Sequence, residues 1–137
     1  MNLWSAFALP SLTTLLLIVD WLSRHRLFTP RDRTLLIRGM AVLSIVFYPM
    51  AIGVVHVDAY RFGFTMWAPI ALALIGIAIA PRFIRLACAL LAIAIVFDLH
   101  ALPSLNLFDY VIDPFGGLFA IAWSAITLVR RRRSPRR

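Results

Sequence analysis

The chain contains no lysine and no glutamate, and its single cysteine is Cys88. One cysteine excludes an internal disulfide, a CxxC redox motif and a cysteine-cluster metal site. Charged residues make up only 15% of the 137 residues, whereas soluble domains carry about a quarter. A soluble fold of this length must expose much of its chain to water, yet 62% of the residues are hydrophobic. These shortages argue against a soluble domain and indicate a membrane protein.

Sequence motifs of several enzyme classes are also absent. No nucleophile elbow, P-loop, dinucleotide-binding glycine pattern or HExxH motif occurs. No basic segment precedes the first apolar run, although a secretory signal peptide needs one. We therefore assign no catalytic residue, no metal ligand and no cofactor, and we expect the first apolar run to be a retained span.

Apolar residues, by contrast, form five long runs. A helix needs about 20 residues to cross the hydrocarbon core of a bilayer. The runs predict an all-α membrane protein: one five-helix transmembrane bundle over residues 1–129, followed by a basic, disordered cytoplasmic tail over residues 130–137. The last run is the shortest, so it either extends back towards Tyr110 or requires a thinner bilayer. The five predicted spans are residues 3–22, 35–57, 62–80, 83–102 and 115–129.

The distribution of arginine predicts the orientation of the bundle. All 14 basic residues are arginine, and most lie in the first and third connections and in the C-terminal tail. Because positive residues stay on the cytoplasmic side, the N-terminus is predicted outside and the C-terminus inside. A multi-pass protein of the bacterial inner membrane fits this pattern. The opposite face receives one arginine, Arg61, and four aspartates, Asp58, Asp98, Asp109 and Asp113.

The same charge pattern suggests partners. Arginines that flank apolar runs can contact anionic lipid headgroups, at about 1 kcal/mol each. Nucleic acid is not expected, because the net charge of +8 is clustered beside the spans instead of covering one soluble face. Small size and short connections favour a larger membrane-protein partner or a homo-oligomer.

Local patterns predict helix ends and one ion pair. Thr29 and Asp113 each stand before a proline, which combines an N-cap with proline at the first helical position. Residues 80–82 predict a tight hairpin between the third and fourth spans. Asp20 and Arg24 are four residues apart near the cytoplasmic end of the first span, a spacing that predicts a structural ion pair. A proton or ion site at Asp20 is the alternative.

Ionisable groups beside membrane spans are costly, so those of the outer face form the candidate site. Histidine and carboxylate suit divalent metals, but the spacings His-x-Asp and Asp-x-His match no compact ligand motif. A vestibule that attracts cations or responds to protons and a simply solvated rim remain as alternatives. The predicted outer-face cluster is His56, Asp58, Arg61, Asp98, His100, Asn106, Asp109 and Asp113.

A short amphipathic helix is predicted at the outer interface, between the fourth and fifth spans. Ser104 can cap it, and it would cover residues 105–112. Asn106, Asp109 and Tyr110 fall on one side at about 100° per residue. This acidic side either stays in water while the helix closes the bundle, or it lines a pocket.

Three functions fit these features. Small size and the lack of a catalytic constellation favour a non-enzymatic accessory or assembly protein. An acidic outer face on a bundle with prolines inside its spans favours a small transporter or channel subunit. A membrane enzyme with a lipid-linked substrate would use His100, Asp109 and Asp113 as acid, base or metal groups.

Overall fold

The computed structural model describes residues 10–54 and 59–133, and within these ranges the chain is all-α and contains no strand. The predicted fold class is confirmed at this level. A 3-10 helix, Ala59–Phe64, lies between the second and third helices. The α-helices are α1 (Leu12–Leu22), α2 (Pro30–Ala51), α3 (Trp67–Ile79), α4 (Ile84–Asp98), α5 (Leu107–Val111) and α6 (Pro114–Arg133).

Both predicted proline-initiated helices are confirmed. At the start of α2, the Thr29 hydroxyl accepts a hydrogen bond from the Asp32 amide at 3.1 Å, and the Asp32 carboxylate accepts one from the Thr29 amide at 3.2 Å. At the start of α6, the Asp113 carboxylate accepts a hydrogen bond from the Gly116 amide at 2.7 Å. The caps satisfy amides that a helix start leaves without intrahelical partners, and proline at the first position has no amide to satisfy.

The start of α1 lies well inside the first predicted span. The helix begins at Leu12, because the Ser11 hydroxyl accepts a hydrogen bond from the Thr14 amide at 3.3 Å and caps it there. Residues 3–9 of that span, and residues 55–57 of the second, lie outside the described residues.

The ends of the later helices also differ from the predicted spans. α3 begins at Trp67 instead of residue 62, so Pro69 lies in its first turn, where a missing amide breaks no hydrogen bond. α4 ends at Asp98, and His100 just beyond it has a left-handed φ of 52°. α6 runs on to Arg133, through the first four residues of the predicted disordered tail, instead of extending back towards Tyr110.

Length and composition identify one candidate membrane span among the described residues, Pro30–Met50. Two shorter helices, Leu12–Leu22 and Trp67–Ile79, are also apolar. Only 28% of the most apolar segment of Pro30–Met50 is buried inside the chain. The core helix of a soluble protein would be mostly buried.

Large apolar side chains point outward from all five of the longer helices. Several of them are three, four or seven residues apart, which places those residues on the same face of a helix. Buried apolar side chains fill two clusters between the helices, around Met40 and around Ile93. The outward residues include Leu15, Ile18 and Leu22 on α1, Leu35, Val42 and Ile45 on α2, Ile70, Leu74 and Ile77 on α3, Ile84 and Ile95 on α4, and Phe115, Leu118, Phe119 and Ile126 on α6.

Two helix pairs make the main contacts, α2 with α6 and α3 with α4. The hairpin predicted at residues 80–82 joins α3 to α4. At the α2–α6 contact Gly117 is buried, and a Cβ atom there would lie 2.4 Å from Ser44 Oγ and 3.1 Å from both Ser44 Cβ and Tyr48 Cε2. The missing side chain of Gly117 thus allows the two helices to pack closely.

We predict that Gly117→Ala destabilises the fold by about 1–3 kcal/mol, because the Ser44 hydroxyl can rotate away but Ser44 Cβ and the Tyr48 ring must both shift. Gly39→Ala on α2 is the matched control, since a Cβ there meets nothing within 4 Å. The control should be neutral or stabilising by up to roughly 1 kcal/mol. Thermal unfolding in detergent measures both variants, and equal melting temperatures would contradict the close packing.

Candidate functional site

The structure separates the predicted outer-face cluster into different environments. His56 and Asp58 lie outside the described residues, and Arg61 is exposed on the 3-10 helix. Asp98 and His100 are exposed at the end of α4. Within the described ranges, no group of three or more His, Cys, Asp or Glu residues could hold a metal ion. The three other members lie in or next to α5 and form hydrogen bonds within the chain: Asn106, Asp109 and Asp113.

Asp113 is the most completely bonded of these groups and is only 7% exposed. Its Oδ2 accepts hydrogen bonds from the Ser11 amide at 3.0 Å, from the Ser11 hydroxyl at 2.8 Å and from the Thr14 hydroxyl. Its Oδ1 accepts the hydrogen bond from the Gly116 amide. This one carboxylate therefore connects the start of α1 to the start of α6.

These bonds also determine the charge of Asp113. Burial raises the pKa of the carboxyl group, but the donors from Gly116, Thr14 and Ser11 outweigh burial, so the pKa lies below its usual value. With this lowered pKa, Asp113 is ionised, and its hydrogen bonds hold α1 and α6 together.

A second hydrogen bond reinforces this junction, in which the Thr13 hydroxyl donates to the carbonyl of Val111.

Asp109 belongs to a second network. Its carboxylate accepts hydrogen bonds from the Tyr60 hydroxyl at 2.7 Å and from the Ser104 hydroxyl. Burial and the bonded Asp109 carboxylate raise the pKa of Tyr60 above its usual range. The Asn106 side chain donates to the Tyr60 carbonyl at 2.9 Å. Asp109 and Asn106 thus fasten the 3-10 helix to α5.

The polar side of α5 faces the interior of the protein, unlike both arrangements expected from the sequence. Asn106 and Tyr110 are completely buried. The Tyr110 hydroxyl donates to the Leu102 carbonyl and accepts from the Leu102 amide, both at 3.0 Å. Asn106, not Ser104, is the N-cap of this helix, because its side chain accepts from the Phe108 amide. Groups of the chain itself therefore form the hydrogen bonds that water would form with an exposed polar side.

Near the other end of α1, the structure pairs Asp20 with Arg33 instead of Arg24. Asp20 is 1% exposed, and its Oδ2 accepts from Arg33 Nε at 2.7 Å. α1 ends at Leu22, and Arg24 and His25 have left-handed φ angles of 58° and 63°. The i, i+4 geometry of a helix therefore does not apply to Arg24, whose side chain is exposed.

The Asp20 carboxylate has further donors in the loop that follows. Its Oδ1 accepts from the amides of Leu27 and Phe28, each at 3.0 Å, and His25 Nδ1 lies 3.3 Å from Oδ2. Arg33 also donates to the Phe28 carbonyl at 3.1 Å. Asp20 therefore organises the connection between α1 and α2.

An open groove of about 750 Å³ lies between the ends of α3 and α4 that are away from their hairpin. Near the hairpin the two helices pack tightly, since a Cβ on Gly76 would lie 3.3 Å from the Ala87 carbonyl oxygen. Farther along, small residues on both helices leave space between them. The walls include Phe64, Pro69, Ile70, Ala73, Leu91, Ala94, Ile95 and Leu105, and Asp98 and His100 also border the groove.

The ring of His100 has a defined orientation beside this groove. Its Nδ1 lies 2.8 Å from the carbonyl oxygen of Asp98, and its ring stacks on Phe97 with centroids 6.3 Å apart. A carbonyl oxygen only accepts, so Nδ1 carries the hydrogen of this bond, and in a neutral imidazole the other nitrogen, Nε2, is the acceptor. The groove is thus bordered by a carboxylate and an imidazole.

Several of these features were not predicted from the sequence. Ser11, Thr13 and Thr14 bond to residues about a hundred positions away, and only the Pro10–Ser11 helix start hints at them. Alanines at 73 and 94 were visible as small residues, but not as groove walls. No protein-family model matches the chain, and no curated protein or solved structure matches it either.

We predict that Arg33→Ala destabilises the chain by about 1–3 kcal/mol, because it removes a charged donor from a buried carboxylate. Arg24→Ala is the matched control and should change stability by less than about 0.5 kcal/mol. Chemical denaturation of both purified variants gives the comparison. A larger loss in Arg24→Ala would restore the pairing expected from the sequence.

Asp113→Asn should lower stability at neutral pH by about 1–3 kcal/mol, because an amide replaces a carboxylate that accepts four hydrogen bonds. The folded pKa of Asp113 is depressed, so its contribution is complete above the unfolded value of about 3.9 and is lost as the pH falls through the folded pKa. Unfolding midpoints measured from about pH 7 to about pH 3 test this. The variant should lose less stability on acidification than the unmodified chain, and identical acid profiles would refute the assignment.

Proposed function

We propose that the chain is a five-span integral protein of a bacterial inner membrane, with the N-terminus outside and the C-terminus inside, that acts as a non-enzymatic accessory or assembly subunit. The observation that carries the proposal is which side chains form hydrogen bonds within the chain and which are exposed on its surface. Described carboxylates such as Asp20, Asp109 and Asp113 bond to the chain itself, while apolar side chains cover the outside. Such a surface is better suited to apolar contact with another molecule than to catalysis.

The membrane part of the proposal draws on the outward apolar faces of the helices. Monomeric soluble proteins rarely expose apolar patches larger than a few hundred Å². α3 and α4, with 13 and 15 residues, provide about 20 and 23 Å of helix. To span the bilayer they need their flanking segments within it, or a locally thinner bilayer. The arginine distribution then places the α1–α2 loop and the α3–α4 turn in the cytoplasm.

The accessory role follows from how the polar groups are used. Transport through an acidic vestibule needs several carboxylates that face solvent, whereas Asp109 and Asp113 accept hydrogen bonds from neighbouring residues, and of the described outer-face aspartates Asp98 is the exposed one. Chemistry on a lipid-linked substrate needs His100, Asp109 and Asp113 in one site, and the three have separate sets of partners. Contact with a larger membrane protein or with a second copy needs only the apolar faces. Anionic lipid headgroups are the proposed partners of the cytoplasmic arginines.

Two prolines in the connections allow a direct test of this arrangement. Pro81 lies in the α3–α4 turn and Pro103 lies between α4 and α5, and both are exposed. In a Cys88→Ala background, Pro103→Cys should react with a membrane-impermeant maleimide in intact cells, because it faces outward. Pro81→Cys is the matched control and should react only after permeabilisation. Labelling of both positions, or of neither, in intact cells would contradict the proposed topology.

The accessory role has its own measurement. The full chain, extracted in a mild detergent, should elute as part of a complex larger than the monomer, together with a membrane protein or a further copy of itself. A monomer that elutes alone would contradict this role and leave the topology untouched.

A further inference from the structure

We infer that the groove between α3 and α4 binds one acyl chain of an outer-leaflet phospholipid whose headgroup ends in a primary ammonium, with Asp98 and His100 holding that headgroup. This inference rests on the proposed membrane topology, which places the groove in the outer leaflet. The accessory role assigns no ligand to this groove, and the inference names a class of ligand for it.

The body of the groove suits a flexible hydrocarbon chain. Its volume of about 750 Å³ lies within the roughly 300–1,000 Å³ of ligand pockets. Apolar side chains from both helices and from the adjoining segments form most of its walls, and the small side chains of Ala73 and Ala94 leave room between the helices. An aliphatic chain can fill such a space without leaving any polar group unpaired.

The polar groups that border the groove are hydrogen-bond acceptors. Asp98 supplies a carboxylate, and the neutral form of His100 supplies the lone pair of Nε2, since Nδ1–H is used by the Asp98 carbonyl. Thr65 also borders the groove, and its hydroxyl donates its hydrogen to the Phe62 carbonyl at 2.7 Å. The Thr65 oxygen is therefore left as an acceptor.

Charge complementarity then selects the headgroup. A primary ammonium carries three donors and one positive charge, which matches a carboxylate and two further acceptors that border the same groove. A glycerol headgroup offers hydroxyl donors without a positive charge. The groove should therefore prefer phosphatidylethanolamine to phosphatidylglycerol.

Lipid retention tests the inference. The purified full chain is reconstituted into vesicles with equal amounts of phosphatidylethanolamine and phosphatidylglycerol and extracted again in mild detergent. After washing, the retained lipid is quantified by mass spectrometry. The unmodified chain should retain mainly phosphatidylethanolamine. Asp98→Asn, at an exposed position, should reduce this preference roughly two- to fivefold, as expected for loss of one exposed ion pair.

A second pair of variants tests the groove itself. Ala73→Phe fills the groove and should abolish retention of both lipids. Ala122→Phe on α6 is the matched control, because Ala122 is exposed and does not line the groove. The control should retain lipid as the unmodified chain does, and helicity by circular dichroism verifies that each variant is folded.

The outcomes separate this inference from the proposed function. Equal retention in folded Ala73→Phe and Ala122→Phe would overturn the inference, and so would an unchanged lipid preference in Asp98→Asn. An Ala73→Phe variant that loses self-association while keeping its lipid would also overturn it, in favour of a second copy in the groove. In each of these cases, maleimide labelling at positions 81 and 103 still reports the topology independently.

Discussion

The rest of the structure depends on the burial of the Asp113 carboxylate among donors from α1 and α6. A charged group away from water is stable only with full hydrogen bonding, and Ser11, Thr14 and Gly116 supply it. Because these donors come from both ends of the described chain, α1 and α6 must meet at one point. The close packing at Gly117 then brings α2 against α6.

The same principle explains why the described members of the predicted outer-face cluster do not gather in one open site. Asp109, Asn106 and Tyr110 bond to the 3-10 helix and to the backbone before α5, so their polar atoms point inward. Among the described members, Asp98 and His100 border the groove, and the walls of that groove are mostly apolar. Turning these polar groups inward leaves large apolar side chains over much of the outer surface.

Sequence patterns predicted the features that depend on neighbouring residues. The starts of α2 and α6 follow from Thr29 and Asp113 before proline, and the all-α class follows from the apolar runs. The partner of Asp20 depends on where α1 stops, and a spacing of four residues gives Arg24 only if the helix continues. The five-span topology and the functional assignments remain predictions, because they depend on the surroundings of the chain and not on its internal contacts.

Pairings between distant residues set the limit of sequence reasoning. Ser11 and Asp113 lie 102 positions apart, and nothing local to either residue indicates the other. The groove is equally hidden, because it depends on how α3 and α4 pack beyond Gly76. Small residues on both helices indicate close packing from sequence alone, whereas Ala73 and Ala94 line an open space.

The central claim of the proposed function is that the apolar outer surface of the helices faces membrane hydrocarbon, and the native cysteine allows its most direct measurement. Cys88 is exposed on α4, a helix with apolar residues on its outer surface. A nitroxide attached to Cys88 in vesicles should collide more often with oxygen, which concentrates in hydrocarbon, than with a water-soluble nickel chelate. Greater accessibility to the nickel chelate would show that this surface faces water and would contradict the account.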